Sequence, residues 1–535
     1  MLTWIRRKLG SSAPATIEPS TPEPQARGTD IDSPYSGARV TKLNNHWLPR
    51  HYSGDEAIRQ SWDLVTARIR DRVRNDSVLQ KAKNQLSRLV IGTGIDAYSD
   101  ASELDEENET LVEYEIESDT WFERWALEEA DIEGEHTYFD MQRVAFEDEV
   151  ESGNSLWLKC MDNAPGRSVP LCYQLLEYEQ IDQSRDRDAG YLRKGGERYN
   201  RISNGIEYDA RGRKVGYWIY EAHPYDSSMG WSNDSTFVPA ERVLHQYLWS
   251  RPSGKLGISW FSAPMQSNFD LDRYVANELT TRGLMALMGV AVHSDDYTGG
   301  MGLEAEDADT GLSGFKMGYP AIGQLKKDDK VEVIETGRNA GDATALINLL
   351  LNLQAMGCRI SVNRLLGDPS KANLAALKAA HNDDDAMVAP IIESLSNKIG
   401  RKVRKTHTQI AFARGLFKSV SAQDFARRPF QYTTFEIVGS NRSDLDKDDG
   451  EASIDRLRSG LSTYQGECAR RGHHWRRNLR RMATVNAAAR KAGVVLDWTK
   501  GNGGQLTGSS SDAQVLKEAN QAEQGGSDNA NASDE

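Results

Sequence analysis

The stretch CARRGHHWRRNLRRM at 468–482 places Arg470, Arg471, Arg476, Arg477, Arg480 and Arg481 around Trp475. Guanidinium groups grip phosphate and an indole stacks on bases, so this run is the first candidate for nucleic-acid contact. A basic helix in an acidic oligomer equally pairs with carboxylates of its neighbour, and that structural reading is favoured. KIGRKVRKTH at 398–407 is the next basic run. Cys468, His473 and His474 are soft ligands, but a structural zinc takes four and no fourth stands nearby. His381, Asp383, Asp384 and Asp385 cluster as the ligands of a metal-dependent nuclease would. No second acidic motif supports that chemistry, and a solvated break in a helical region is the favoured account.

Other catalytic signatures are absent from the sequence. A phosphate cradle needs glycines ahead of a Lys and a Ser or Thr, whereas Gly254 and Lys255 are followed by Leu256. No GxSxG turn marks a serine nucleophile. The expectation is a non-enzyme with no catalytic residue, no cofactor and no metal.

The elements that must position these residues divide a chain of 535 residues, long enough for three or four structural units. Hydrophobic residues make up 38% and charged residues 27%, with a mean hydropathy of -0.62, which argues against an integral membrane protein. The opening MLTWIRRKLG is broken by arginines too early for a signal-peptide core. Cys160, Cys172, Cys358 and Cys468 form no CxxC pair, as expected of reduced thiols in a host cytosol. A net charge of -14 argues against a protein whose main task is gripping nucleic acid, yet a like-charged wall would ease DNA through a duct.

Residues 1–40 and 500–535 are poor in large apolar groups and read as disordered ends. DEAIRQSWDLVTARIRDRVRND and SVLQKAKNQLSRLVIGTG read as two helices, with Gly92 and Gly94 supplying positive φ at the stop. Trp121 and Trp125 share one face of a further helix, and Gly153 leads into the strand SLWLKC. Leu175 to Leu248 reads as a β-rich unit, with Ala210, Arg211 and Gly212 in a hairpin loop. Trp157, Trp218 and Trp249 read as core. Ser262 and Pro264 suit the start of a helix of about 27 residues ending near Val290. A Gly- and Asp-rich insertion with a strand at KVEVIE follows, and then a second helix, capped by Asp342, carries Leu346, Leu349, Leu350 and Leu353 as a stripe. Helix, insertion and returning helix make a stalk with a knob.

These segments resemble the lambda-type phage portal family over most of the body. RNDSVLQKAKNQLSRLVIGTGI at 74–95 is similar to that family's helix with a V-x-G-x-G-I stop. TWFERWALEEADIEGEHTYFDMQR resembles its tryptophan-and-aspartate helix, and NGIEYDARGRKVGYWIY at 204–220 its hairpin. PAERVLHQYLWSRPSGKLGIS at 239–259 ends on Arg251, Pro252, Gly257 and Ile258, like the approach to the family's stem. RISVNRLLGDPSKANLAALKAA at 359–380 carries the Leu365, Gly367, Asp368 and Asn373 pattern. Ser253, Gly254 and Leu256 depart from the family's Gly-Gln and Arg, and Leu374, Ala375 and Ala376 from its Tyr-Ser-Ser.

The resemblance implies an α+β, mainly helical portal-type fold. Its parts would be a wing with a β-rich portion at 41–261, stem helices at 262–290 and 342–358, and a clip at 291–341. A channel-side loop, long helix and wing return would follow at 359–439, and a helical crown at 440–499. It implies a homo-oligomeric ring, usually of twelve copies, with double-stranded DNA passing through its lumen without sequence readout. It implies the terminase large subunit, head-completion or adaptor proteins, and major capsid and scaffold proteins as partners, and no membrane. The location implied is the portal vertex of the virion, after assembly in the host cytoplasm. Arg364 and Lys371, in the 361–371 segment, are candidates for a channel-facing loop, and the six arginines of 470–481 for DNA or crown contacts. A nuclease or packaging factor built on 381–385 is the alternative from the enzyme class. A head-tail adaptor or scaffold is the third reading, disfavoured because the stalk-and-knob order needs a long chain.

Overall fold

The computed structural model describes residues 49–104, 109–188, 200–226, 234–287, 291–293, 330–332, 340–367, 374–439, 447–492 and 494. The two ends expected to be disordered, most of the insertion between the stalk helices, and Asp368, Lys371 and Asn373 lie outside the described residues.

Helix α5, Tyr138–Ser152, is the axis of the body because apolar side chains cover it on opposite sides. Tyr138, Met141 and Ala145 enter one core with Trp125 and Phe122 of α4 (Glu109–Glu128), Trp157 of β2 (Asn154–Met161), Tyr173 of β3 (Leu171–Glu177) and Phe412 of α10 (Arg401–Arg414). Phe146 and Val150 enter a second core. There they meet Ile69 and Val73 of α2 (Trp62–Asn75), Leu79 and Leu86 of α3 (Ser77–Val90), and Ile391 and Leu395 of α9 (Leu374–Leu395). A third core lies under the β-rich part and gathers Ile58 of α1 (Gly54–Arg59), Leu156, Leu176, Ile206, Tyr217 and Ile219.

The first helix expected at the start of the body is two, α1 and α2, because Ser61 interrupts it. Helix α3 ends as read, with φ of +55° at Gly92 and +119° at Gly94. A Cβ on Gly94 would lie 2.3 Å from the Phe139 ring, so only glycine lets the chain turn there. β1 (Asp96–Ser99) then pairs antiparallel with β11 (Phe435–Val438), joining residues more than 300 positions apart.

β2 lies between β3 and β8 (Val243–Tyr247) in an antiparallel sheet of three strands. A second sheet runs β4 (Arg201–Ser203), β5 (Ile206–Tyr208), β6 (Lys214–Tyr220), β7 (Ser235–Pro239). The β5–β6 hairpin turns through Ala210, Arg211 and Gly212, where the Asp209 carboxylate accepts from the amides of Arg211 and Arg213, both at 2.8 Å. Trp157 is buried as expected, whereas Trp218 is half-buried and Trp249 is 62% exposed, since the chain leaves the sheet after Tyr247.

Two features fix how the long helices attach. Helix α9 continues through one π turn, Ser396–Gly400, into α10, with Pro390 inside it. The Arg404 guanidinium of α10 is fully buried. It donates to Ser118 O at 3.1 Å, Ser118 Oγ at 3.0 Å and Asp119 Oδ1 at 2.7 Å, with its face 4.3 Å from the centre of the Phe122 ring. The same Asp119 oxygen accepts from the Ser99 amide at 2.9 Å, so α10, α4 and β1 meet at one carboxylate.

Glu149 on α5 is buried, and burial pushes its carboxyl from 4.5 up to about 7, while Gln246, Lys398 and Arg359 pull it down. A raised folded value means that this group's favourable contribution is complete below pH 4.5 and is lost as pH rises through 7. Glu149→Gln should therefore match the parent in urea unfolding near pH 4.5. At pH 8 it should exceed the parent by up to about 3 kcal/mol.

Candidate functional site: a helical stalk and a basic C-terminal helix

The stalk leaves the body where Ser259 caps a 3-10 turn, Trp260–Ser262, accepting from the Phe261 amide at 3.1 Å and donating to Val150 O at 2.8 Å. Ser262, expected to cap the long helix, instead ends this 3-10 turn, and α6 is described over Met265–Leu287, 23 residues. The returning helix α7 spans Ala340–Gly357, so Asp342 lies within its first turn instead of at the cap. Beyond α6, β9 (Ala291–His293) pairs antiparallel with β10 (Lys330–Glu332), the expected strand of KVEVIE. At the base, a Cβ on Gly357 would meet Pro264 at 2.7 Å, so the absent side chain lets the end of α7 touch the start of α6.

The base is held by polar contacts. Arg72 pairs with Asp272 at 2.8 Å and lies 5.3 Å from the centre of the Phe269 ring, and Asn268 donates to Asp76 Oδ2 at 3.0 Å. Away from it the helices bury little. Asn268 and Leu271 are the buried residues of α6 among those whose burial is described, and Ala343, Gln354 and Ala355 those of α7. Of the leucine stripe, Leu346, Leu349 and Leu353 are exposed and Leu350 is half-buried, and Met356, Phe269 and Leu279 are exposed too. A helix pair with this much uncovered apolar surface needs another surface against it.

The chain next makes α8, Val362–Leu366, capped by Ser361 and closed by Gly367 at a φ of +69°. The 381–385 cluster, expected to break the helix, lies inside the unbroken α9. Asp384 is buried and accepts from Ser361 N at 2.9 Å and Ser361 Oγ at 2.7 Å. Arg364 contacts Asp384 and Asp385, both at 3.1 Å, and donates to His381 O at 3.3 Å. Two carboxylates offered as nuclease ligands thus engage Arg364, and the Arg364 side chain is folded onto α9. Asp383 is exposed.

Of the C-terminal helices α13 (Lys447–Arg458), α14 (Tyr464–Arg470) and α15 (Trp475–Lys491), α15 docks onto α4 and β1 through charge. Arg476 pairs with the buried Glu115 and lies 3.6 Å from Asp100. Arg477 pairs with Glu123 at 2.7 Å and reaches Tyr98 Oη at 3.4 Å. The carboxylates expected from a neighbouring subunit come, for these two arginines, from the same chain. His474 is buried, stacks on Tyr98 with ring centres 4.6 Å apart, and meets Glu436 at 3.0 Å. Cys468 accepts from Asn478 at 3.7 Å and His473 is exposed, so the three soft ligands do not converge. Arg456 bonds Glu467 at 3.0 Å and holds that carboxyl down to about 2, while Arg470 approaches it at 3.8 Å and Arg471 reaches Ser453 at 3.5 Å. Arg480 and Arg481 face solvent. No residue of α15 is buried among those described, and beyond its first turn Met482 meets the Tyr464 hydroxyl of α14 at 3.5 Å.

Sequence reading missed one grouping. Glu177, Glu179 and His223 bring ligand atoms within 4.8 Å of one another, but Arg70 already bonds Glu177 at 2.7 Å and Glu179 at 3.2 Å. Only the fold joins these segments, so no spacing in the chain could have revealed it.

A stalk that bears uncovered leucines, carried on a compact α+β body, defines a protein built to assemble with others. Residues 41–391 match the family model described as phage portal protein, lambda family, and the chain belongs to that family. It is 24% identical over 316 residues to a probable portal protein of Halomonas phage phiHAP-1, the match covering 58% of each chain. Among solved structures it is similar to a chain in the neck of an empty GTA particle computed with C6 symmetry. That match has 11% identity and a TM-score of 0.39, covering 75% of this chain and 91% of the other. A chain in the neck of a native GTA particle computed with C12 symmetry matches with 12% identity and a TM-score of 0.36, covering 78% and 97%.

Removing the Arg476 guanidinium leaves Glu115 buried and short of a partner, which costs about 3–5 kcal/mol for comparable buried pairs. Arg476→Ala should make α13–α15 sensitive to limited proteolysis. Arg480→Ala and Arg481→Ala should leave the digestion pattern unchanged.

Proposed function

We propose that this chain is the subunit of a portal ring, of twelve copies, whose channel passes double-stranded DNA into the capsid during packaging and out during ejection. The observation that carries the reading is the uncovered leucine face of α7 with Phe269 and Leu279 on α6. Such a face suits repetition of the stalk around an axis, where a head-to-tail contact closes into a ring with a central hole. In this reading α6 and α7 are the stem, the segment between them the clip, and α13–α15 part of the crown. The role asks for geometry and not for bond-making, so the energy of packaging comes from the terminase large subunit docked on the ring. Head-completion or adaptor proteins then take its place. Contacts with major capsid and scaffold proteins would let the ring nucleate assembly in the host cytoplasm and remain at the virion vertex.

Arg480 and Arg481, exposed on α15, suit phosphate contact without base readout. Arg364 is committed to Asp384 and Asp385, so it would serve the channel by bracing α8 against α9.

Negative-stain electron microscopy with mass measurement on the same sample should show annular particles near the mass of a dodecamer. Uniform monomers across ionic conditions would refute the ring. Leu349→Asp combined with Leu353→Asp should abolish rings while leaving the far-ultraviolet circular dichroism of the protomer unchanged. Arg480→Glu with Arg481→Glu should preserve rings and lower the DNA retained in particles. Undiminished retention would remove α15 from the DNA path.

A further inference from the structure

Cys160 on β2 and Cys172 on β3 are separated by a hairpin in sequence and are paired across it in register, Cys160 opposite Cys172. Directly opposed residues of an antiparallel pair point to the same face of the sheet. Both thiols are free, Cys172 buried and Cys160 half-buried. The pair is one that exchanges backbone hydrogen bonds. Two residues further along, the Asp162 amide donates to Pro170 O at 2.7 Å, and next to the pair the Tyr173 amide turns away to Ala130 O at 2.8 Å. Residues in such a position have Cα atoms about 5.5 Å apart, inside the range that a disulfide spans. Their Cβ atoms stand about 4.5–5.5 Å apart, against about 3.8 Å in a disulfide. A bond there must draw the strands together, which makes it strained and readily reduced.

We propose that Cys160 and Cys172 form a reversible cross-strand disulfide, a modification site that stays open in a reducing cytosol and closes when the protein meets a low-molecular-weight disulfide. The timing, though not the bond, rests on the portal reading, because a virion subunit leaves the cell in which it was made. Half-buried Cys160 is the thiol an external reagent reaches. Its thiolate attacks one sulfur of oxidised glutathione, breaking that S–S bond and releasing one glutathione thiolate. Cys172 loses its proton and attacks the Cys160 sulfur of the mixed disulfide, releasing the second glutathione. Two protein thiols are oxidised, one glutathione disulfide is reduced to two thiols, and the two cysteine protons pass to the departing thiolates. Burial pushes both thiols up, which slows the exchange, and the charges of Arg242 near Cys160 and Arg167 near Cys172 partly offset it.

The test uses the full chain as purified, reduced, and then incubated with oxidised glutathione. Thiols are counted after denaturation, and linked peptides are mapped by mass spectrometry. The expected result is a fall from four titratable thiols to two, a mass loss of about 2 Da, and a single linked pair joining Cys160 and Cys172. Cys358→Ser and Cys468→Ser should still lose two thiols, whereas Cys160→Ser should lose none to an internal bond. Dithiothreitol should restore every thiol. Four thiols persisting at high oxidant, a glutathione adduct that never resolves, or links to Cys358 or Cys468 would each overturn the proposal. The count is made on the protein whether or not it forms rings, so its failure and a failure of the portal reading are separate outcomes.

Discussion

Arg404 is the charge around which the body closes. A guanidinium without solvent contact is costly unless it is paired, and Ser118 and Asp119 supply acceptors to its two Nη groups while Phe122 lies against its face. Because Asp119 also takes the Ser99 amide, the position of α10 fixes both α4 and β1. α10 is in turn the continuation of α9, whose Asp384 holds Ser361 and Arg364 just beyond the end of α7. A line of polar contacts thus connects the aromatic core to the foot of the stalk.

The same logic separates what is fixed within the protomer from what is left for assembly. Three half-buried arginines are engaged inward: Arg70 with Asp148, Glu177 and Glu179, Arg364 with two aspartates, Arg476 with Glu115. Among the described residues, the exposed surfaces include an apolar helical one on the stalk and a cationic helical one at Arg480 and Arg481. Leucine on a helix that buries so little within its own chain is costly to leave wet, and arginine on a projecting helix is free to meet phosphate.

Local chemistry in the chain foretold local structure well. The glycine stop after α3, the β5–β6 hairpin, the strand in KVEVIE and the two stalk helices all follow from nearest-neighbour rules about φ, alternation and periodicity. Two readings went astray because tertiary partners decided them. The 381–385 acids look solvated in sequence, yet Arg364 and Ser361 fold onto two of the three aspartates. The arginine run is expected to meet a neighbour's carboxylates, yet Arg476 and Arg477 find theirs on α4 of the same chain. The leucine stripe is legible from its spacing, but periodicity cannot say whether what covers it lies within one chain or between copies. The cysteines far apart in sequence looked unrelated until strand register set two of them opposite each other.

The pairing of β1 with β11 carries a lesson about the order of synthesis. Residues 96–99 wait for residues 435–438, so the edge formed by β1 stays unpaired until more than 300 further residues have been made. Contacts of such long sequence separation form late and slowly. The α10 residues that lock Asp119 also emerge late. The body therefore cannot close until this late segment is in place, and β1 remains an open edge through most of the synthesis of the segments between.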